Sequence, residues 1–199
     1  MSVPDTASGT VAATRRDNCP LVRDAVPADY PAIREVVLAA YGQYAYLVAP
    51  DVFEPYLADL LDLEKHARNG QWLVAEADGQ IQGSGAFYPD AAAQGVGLPP
   101  GWASGRGLAV RPAVRGRGVA RALLAAAECL AEDSGAPVFA FHTASFMTSA
   151  IALYEGLGYC RAPEFDYNMA AHYSPSAQPI TSIAFYRRLG SAPQLRRIK

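Results

Sequence analysis

The chain has 199 residues, with 17 Lys and Arg against 19 Asp and Glu, a formal net charge of −2 and a hydrophobic fraction of 51%. This composition predicts a globular domain with a full-sized core and excludes a disordered chain, which would be poorer in apolar residues. It also argues against a generic nucleic-acid binder, because such proteins carry a basic excess. No apolar run reaches the roughly 20 residues that a membrane span requires, so no membrane partner is expected.

The cysteines and the chain ends complete this first outline. Cys19, Cys129 and Cys160 lack the spacing of a disulfide framework or a zinc site, which favours a reducing, cytoplasmic compartment and no metal. Residues 1–20 mix small, polar and charged side chains without a period. We therefore expect a flexible N-terminal arm over 1–20, followed by a single domain over 21–199.

Charge is distributed unevenly along the chain. Residues 21–90 contain four basic and eleven acidic side chains, a net −7, whereas residues 91–127 contain five arginines and no acid. The basic segment indicates an anionic ligand, although arginines that only solvate a surface are the alternative. The acidic half suits a cationic or amphipathic amine.

The first predicted elements are a strand, two helices and a hairpin. A strand begins near Val22, and apolar residues at helical spacing predict a helix over 30–41, with Asp29 as N-cap and Gly42 at its end. A second helix is predicted over 51–69. The runs 72–77 and 80–88 flank Asp78-Gly79 and predict a hairpin with a type I′ turn. Gly83 and Gly85 in its second strand allow the strand to bend or another group to approach closely.

The second half alternates between strands and helices. Residues 89–101 are predicted as a loop, and the later elements are a strand over 105–110, a helix over 118–134, a strand over 138–142, a helix over 149–157, and strands over 159–161 and 183–188 with an irregular stretch between them. This order predicts a mixed α and β domain with antiparallel strands first and a strand–helix–strand unit in the middle.

The run over residues 108–124 carries the clearest chemical signal. A strand enters a glycine-rich turn that opens a helix, and the unpaired N–H groups at a helix start bind phosphate. Gly116 and Gly118 let the backbone approach an anion, and Arg115, Arg117 and Arg121 add charge at the rim. The patterns of a P-loop and of a dinucleotide-binding loop are both absent. A tight turn with solvated arginines is the alternative interpretation.

Two motifs together resemble the GNAT superfamily of N-acetyltransferases. They are the R-x-x-G-x-A pattern of residues 115–120 and the run ALYEGLGY over residues 152–159, and the resemblance covers about residues 22–189. It implies an α+β fold with a mostly antiparallel central sheet flanked by helices and a V-shaped splay between two central strands. It also implies acetyl-CoA as cosubstrate and direct attack by a primary amine in a ternary complex. A non-catalytic acyl-CoA-binding sensor or interaction module on the same fold is the alternative.

The resemblance also implies roles for individual residues. The backbone of the loop would hold the pyrophosphate, the preceding strand would pair with pantetheine, and an N–H of that strand would polarise the acetyl carbonyl. Tyr154 would protonate the leaving thiolate, with core packing as its alternative role. The residues implied to bind the cofactor are Leu108, Ala109, Val110, Arg115, Gly116, Arg117, Gly118, Val119, Ala120, Arg121, Ser145 and Ser149.

The chain departs from the family pattern at two places. Met147 stands where the family often has Asn, and Ser145, Thr148 or Ser149 are the candidate substitutes. The position of a catalytic Glu is held by Ser104 or Arg106, so the general base is unassigned. His142 is one candidate for it, and a satisfied core histidine is the alternative. Other acids considered are Glu164 and Asp166, which border the acceptor cleft or are solvated, and Glu76, which we expect to be structural.

The implied acceptor side is aromatic. The resemblance places the acceptor pocket in the region that contains Tyr41, Tyr44, Tyr46, Phe53, Tyr56 and Tyr88, although core packing explains some of these rings. The acceptor is predicted as a small-molecule amine or a peptide amine. The C-terminal strand and the Arg-rich segment 187–199 are candidates for a homodimer contact or a solvated tail.

Overall fold

The structure is a computed structural model that describes residues 20–190, so residues 1–19 of the predicted N-terminal arm and the last nine residues of the chain lie outside the described part. Its strands are β1 Leu21–Asp24, β2 Gln71–Ala77, β3 Gln80–Tyr88, β4 Ala103–Val110, β5 Val138–Ala144, β6 Cys160–Arg161, β7 Tyr167–Asn168 and β8 Thr181–Arg188. Its α-helices are α1 Tyr30–Tyr41, α2 Pro50–Leu61, α3 Leu63–Ala67, α4 Val119–Asp133, α5 Thr148–Gly156 and α6 Ala170–Tyr173. Within residues 20–190 no helix has the length and apolarity to cross a membrane.

The eight strands form one mixed sheet. Its order is β1-β2-β3-β4-β5-β8-β6, and the short β7 also pairs with β8. Neighbouring strands run antiparallel except for β4 and β5, which are parallel. The predicted fold class, a mostly antiparallel sheet within an α and β domain, is confirmed.

The helices cover both faces of the sheet because each buries one apolar stripe. Ile33, Val36 and Val37 of α1 pack with Trp72 and Val74 of β2 on one face. On the other face α4 and α5 pack against the aromatic residues of β5 and β8. The sheet is thus covered on both sides at its centre, where β3, β4 and β5 lie.

Several local predictions are confirmed. The helix over 30–41 has the predicted bounds, and both turn residues of the hairpin have positive φ, 51° at Asp78 and 72° at Gly79, as a type I′ turn requires. Asp29 occupies the predicted N-cap position of α1, but its carboxylate makes no bond to the helix and accepts hydrogen bonds from Arg23 and from the Val26 N–H instead.

The single helix predicted over 51–69 is wrong. The chain breaks at Asp62, where ψ is 71°, and the Asp62 carboxylate accepts a hydrogen bond from the Lys65 N–H at 3.0 Å. Asp62 therefore ends α2 and caps α3, because a short acidic side chain competes for backbone donors at such a position. The stretch expected to be irregular between β6 and β8 also contains two short elements, β7 and α6.

Two central strands separate towards their C-terminal ends. β4 pairs with β5 only over Ala103–Gly105, although both strands continue beyond this point. On the other side of β4, Ala86 lies opposite Arg106 but Ser84 lies opposite Ala109, so two β4 residues face Gly85. This bulge contains Gly107 at φ +65°, and bulges of this kind bend a strand. The predicted V-shaped splay is confirmed.

Gly83 of β3 is the contact point for α4. A Cβ at Gly83 would lie 2.6 Å from Val119 Cγ1, which is closer than two carbons approach, whereas a Cβ at Gly85 would have its nearest neighbour at 3.7 Å. We expect Gly83→Ala to lower the free energy of unfolding by about 1–3 kcal/mol through overpacking. Gly85→Ala is the matched control and should stay within about 1 kcal/mol of the parent chain. Urea unfolding of both variants measures the difference, and equal losses would contradict this account.

Candidate active site

The splay opens into a cleft of about 670 Å³ that runs between the helix layers. At one end it reaches the glycine-rich loop before α4, and at the other end it reaches the aromatic residues of α1, α2 and α6. Because β4 and β5 no longer pair there, the strand edges that line the cleft are available to a ligand. One cavity therefore joins the predicted cofactor region to the predicted acceptor region.

The loop before α4 is shaped to expose backbone donors. Gly116 and Gly118 have φ of +77° and +84°, a conformation that side chains with a Cβ adopt only at a cost. The N–H groups of Arg115 and Arg117 bond internally to Pro112 and Val114, which narrows the predicted donor set. Between Arg115 and Arg121, the N–H groups left without a partner among residues 20–190 are those of Gly116, Gly118, Val119, Ala120 and Arg121.

The three loop arginines are placed differently. Arg115 lines the cleft, and its guanidinium donates to Gln43 Oε1 at 3.1 Å and to the Ala40 carbonyl at 3.3 Å, which ties the loop to α1. Arg121 also lines the cleft, whereas Arg117 is exposed and does not. Positive charge at a helix start that also carries free N–H groups favours an anion such as a pyrophosphate.

A substitution at Gly118 tests this loop. We expect Gly118→Ala to raise the Kd for acetyl-CoA about tenfold, because the chain must either strain by about 1–2 kcal/mol to keep the donors aligned or abandon that geometry. Gly135→Ala is the matched control, since Gly135 follows the other end of α4 at φ +76° and lies outside the cleft. Both variants should lose a similar amount of stability. Calorimetry should show weaker binding of acetyl-CoA for Gly118→Ala and unchanged binding for Gly135→Ala. Equal Kd values for the two variants would refute the assignment.

Strand β4 presents its backbone to the cleft. The Arg111 N–H donates to the Gln82 carbonyl of the β3 side at 2.9 Å, and N–H directions alternate along a strand. The N–H groups of Leu108 and Val110 therefore point the other way, into the splay. Leu108 and Val110 line the cleft, whereas the Ala109 side chain is buried against the α1 face. The Tyr41 hydroxyl donates to the Leu108 carbonyl at 3.3 Å and holds α1 against this part of the strand.

Tyr154 on α5 lines the cleft from the opposite side. Its ring is buried against Phe141, with ring centroids 4.4 Å apart, so the aromatic part of the side chain does pack in the core. Its hydroxyl makes no hydrogen bond with any residue in the described range 20–190. Burial raises the pKa of Tyr154 above its ordinary value, so the phenol stays protonated at neutral pH and can donate a proton.

The candidate pantetheine contacts at the start of α5 do not all face the cleft. Ser149 lines the cleft, but Ser145 and Thr148 are exposed outside it. The Ser145 N–H donates to the Thr181 carbonyl, so this residue serves the β5–β8 connection. Met147 is buried and lines the cleft. Of the three polar substitutes considered for the missing Asn, the cleft therefore contains Ser149.

The aromatic residues of the acceptor end divide into three groups. Tyr41, Tyr44 and Tyr56 line the cleft with edge-on ring contacts to one another and to Tyr173. Tyr46 is 82% exposed, and Phe53 packs in a small core beside α6. The Tyr88 hydroxyl donates to His66 Nδ1 at 2.6 Å outside the cleft, because His66 Nε2 donates to the Asp59 carbonyl. The stretch between β6 and β8, which the sequence predicts as irregular, also contributes to the cleft lining. Its lining residues are Tyr167, Met169 and Tyr173.

An unforeseen buried ion pair stands beside these rings. The Arg106 guanidinium on β4 pairs with Asp59 of α2, and Lys65 pairs with the other carboxylate oxygen of Asp59. Burial opposes ionisation of Asp59, but the charges of Arg106 and Lys65 outweigh it and lower the pKa of this carboxyl. The carboxylate and both cations are therefore charged at neutral pH.

His142 on β5 also lines this end of the cleft. Its Nε2 lies 2.9 Å from the Phe165 carbonyl oxygen, which can only accept, so Nε2 carries the proton and Nδ1 keeps a lone pair. Burial, together with the Arg106 charge, lowers the pKa of His142, against the opposing effects of the Phe165 carbonyl and Asp166. The imidazole is thus neutral at neutral pH.

The acids considered earlier have structural roles or lie elsewhere. Asp166 accepts from the Ala184 N–H and pairs with Arg161, and Glu76 pairs with Arg23, as expected of a structural acid. Glu164 is exposed and outside the cleft.

The prediction that the acidic half of the chain faces the acceptor is wrong for this cleft. None of the described residues that line the cleft is Asp or Glu, whereas Arg106, Arg115 and Arg121 all line it. Several acids of residues 21–90 instead pair with arginines or cap helices, as Glu64 does with Arg34 and Asp62 does at α3. The net charge of this half of the chain is therefore not concentrated on the cleft wall.

A mixed sheet that splays beside a glycine-rich helix start is the arrangement that the sequence resemblance implies for an acyl-CoA-dependent transferase. The model of the acetyltransferase (GNAT) family matches residues 33–159. The chain belongs to this family and is an N-acetyltransferase with acetyl-CoA as its cosubstrate.

Individual relatives agree with this membership. The chain is 28% identical over 142 residues to an uncharacterized N-acetyltransferase of Escherichia coli (strain K12), YjgM, which covers 70% of this chain and 81% of that protein. It is 34% identical over 121 residues to N-acetyltransferase family 8 member 2 of Rattus norvegicus, covering 57% of this chain and half of the rat protein. In fold it resembles the PaiA N-acetyltransferase of Thermoplasma acidophilum in complex with coenzyme A, with a TM-score of 0.64, 14% identity, and coverage of 84% and 98%.

Proposed function

We propose that the chain transfers the acetyl group of acetyl-CoA to a primary amine by direct attack in a ternary complex. The observation that carries this proposal is the single cleft of about 670 Å³ that contains the free loop donors, the β4 edge, Tyr154 and His142 together. No Cys is among the described residues that line the cleft, so the cleft offers no thiol nucleophile for a path through a covalent acyl-enzyme.

The residues of the loop and of β4 fit the cosubstrate. The free N–H groups of Gly116 to Arg121 would hold the pyrophosphate, and Arg121 would add charge there. The N–H groups of Leu108 and Val110 would pair with the pantetheine arm and stabilise the negative charge that develops on the acetyl oxygen. When bound, acetyl-CoA supplies an acetyl group activated as a thioester. Ser149 is the candidate side-chain contact at the start of α5.

Two side chains would move protons. His142 Nδ1 would accept a proton from the attacking amine, directly or through one water molecule, because its lone pair is free and the ring is neutral. Tyr154 would donate its hydroxyl proton to the sulfur as the carbon–sulfur bond breaks, because burial keeps the phenol protonated. The amine nitrogen thus gains the acyl bond and loses a proton, while the thiolate leaves as a thiol.

The release of free CoA from acetyl-CoA, measured with a panel of primary amines, tests the proposal. The panel contains simple alkylamines, arylalkylamines, amino acids and peptides with free N-termini, and product masses locate the new acetyl group. We expect turnover with at least one class of amine. We also expect acetyl-CoA to bind to the protein when no amine is present. Tight acetyl-CoA binding with no turnover across the panel would favour the non-catalytic binding module instead.

A further inference from the structure

Arg106 stands where the cleft meets a second, smaller cavity of about 100 Å³. The smaller cavity is mostly polar, and Arg106, Gln94, Tyr167 and Tyr173 line both cavities. Burial raises the pKa of Tyr173 to about 12, so its hydroxyl is protonated at neutral pH, and it accepts from Arg106 and donates to Asp59 Oδ2, each at 3.4 Å. A group that enters the cleft from the acceptor side therefore meets the Arg106 guanidinium at this junction.

The charge at this junction is positive. Asp59 is the one carboxylate among the described residues that line the two cavities, and it is shared between Arg106 and Lys65. Two cations and one anion leave one positive charge uncompensated beside the acceptor end. The ammonium group of a substrate would be repelled by this excess positive charge, whereas an anionic group would be attracted.

The guanidinium of Arg106 also has unused donors. Only its Nη2 makes hydrogen bonds within the described residues, to Asp59 and to the Tyr173 hydroxyl at 3.4 Å. Its Nη1 makes no hydrogen bond within the described residues, and its Nε is also without a partner but fully buried. Nη1 is therefore the donor that a ligand in the cleft can reach, and an acceptor placed there would satisfy it. A planar guanidinium matches a carboxylate better than any other biological anion except phosphate.

We infer that the acceptor is an amine that carries a carboxylate close to the amino group, with the carboxylate bound by Arg106. The inference rests on the proposed function and names its substrate class. Arg106 and Leu108 lie on either side of Gly107 in the β4 bulge, and both line the cleft. The proposed carboxylate and acetyl sites are therefore neighbours, which suits an α-amino acid, whose amine and carboxylate are attached to one carbon. The rings of Tyr41, Tyr44 and Tyr56 would contact an apolar or aromatic side chain of the acceptor.

Matched acceptor pairs test the inference on the unmodified chain. The pairs are phenylalanine with phenethylamine, tryptophan with tryptamine, and leucine with isoamylamine, with the amino acid amides as neutral controls. We expect kcat/KM, corrected for the fraction of neutral amine, to be at least tenfold higher for one or more of the acids than for the matching amine and amide. Amines that react as well as all of the acids, or acids that do not react at all, would overturn the inference.

A double variant separates carboxylate binding from folding. Arg106→Gln alone would leave Asp59 with reduced charge compensation in a largely buried place, so it is combined with Asp59→Asn, which leaves two neutral side chains able to bond to each other. We expect the double variant to lose at least tenfold in kcat/KM for the preferred acid and less than threefold for the matching amine. Equal losses for both would mean that the pair is structural, which would overturn the inference.

Calorimetry with acetyl-CoA distinguishes failure of the Arg106 inference from failure of the proposed function. Absence of acetyl-CoA binding would remove the proposed function itself. Binding together with turnover of amines, but no preference for carboxylates, would leave the proposed function in place and remove only the Arg106 assignment.

Discussion

Replacing Tyr154 by Phe should lower kcat by about 10²-fold or more, which is the usual contribution of a positioned general acid. The substitution removes the one group at this point of the cleft that we assign to protonate sulfur, while the buried ring keeps its packing against Phe141. The Kd for acetyl-CoA should change little, because the loop and β4 carry the binding contacts. Steady-state kinetics with a turned-over acceptor and calorimetry with acetyl-CoA measure the two quantities separately.

Tyr159→Phe is the matched control for Tyr154→Phe. Tyr159 is equally buried and packs against the same Phe141 ring, but it lies outside the cleft and its hydroxyl bonds to Glu128. Its loss should cost about 1 kcal/mol of stability and leave kcat within twofold. An unchanged kcat in Tyr154→Phe, or equal losses in both variants, would remove the acid role of Tyr154.

Replacing His142 by Gln should lower kcat/KM by about 10²-fold at pH 7.5, because the variant has no lone pair of suitable basicity at this position. A Gln amide can still donate to the Phe165 carbonyl, so the local fold is preserved. In the parent chain, kcat/KM should fall as pH decreases, with a midpoint below about 6.5, because burial lowers the pKa of His142 and protonation removes the base.

The pH profile decides between a base and a core histidine. In His142→Gln the acid limb that belongs to the enzyme should disappear, leaving only the titration of the acceptor amine, while the Kd for acetyl-CoA is unchanged. A variant that loses stability but keeps the acid limb would support the core interpretation and leave the base unassigned.

Much of the fold could be predicted because the signals are local. The period of apolar residues in α1, the Asp78-Gly79 turn and the glycine-rich loop before α4 each depend on a few neighbouring residues, and the structure contains all three. The break at Asp62 and the elements β7 and α6 could not be predicted in the same way. The break depends on the side-chain cap that Asp62 provides. The short strand β7 depends on pairing with β8, which is itself held in the sheet by β5, a strand distant in sequence.

The candidate site could be predicted on its cofactor side and only partly on its acceptor side. The loop and Tyr154 belong to motifs of contiguous residues, and the structure brings them to one cleft, whereas Ala109, Arg117 and Ser145 lie outside it. The Asp59–Arg106 pair joins residues 47 positions apart, and no spacing rule connects them. The charge sum over residues 21–90 was misleading because it ignores where each acid finds its partner.

Because Gly83 is in close contact with α4, a substitution at this position should change the affinity for the cofactor and the stability of the fold together. Gly83 itself does not line the cleft. Val119 is both the first residue of α4 and the neighbour whose methyl group fills the space where a Gly83 side chain would stand. Any larger residue at Gly83 moves the helix start, and with it the five N–H groups proposed to receive the pyrophosphate. A saturation scan scored for acetyl-CoA binding would therefore record Gly83 as a functional position, although its effect is transmitted through the packing of one helix.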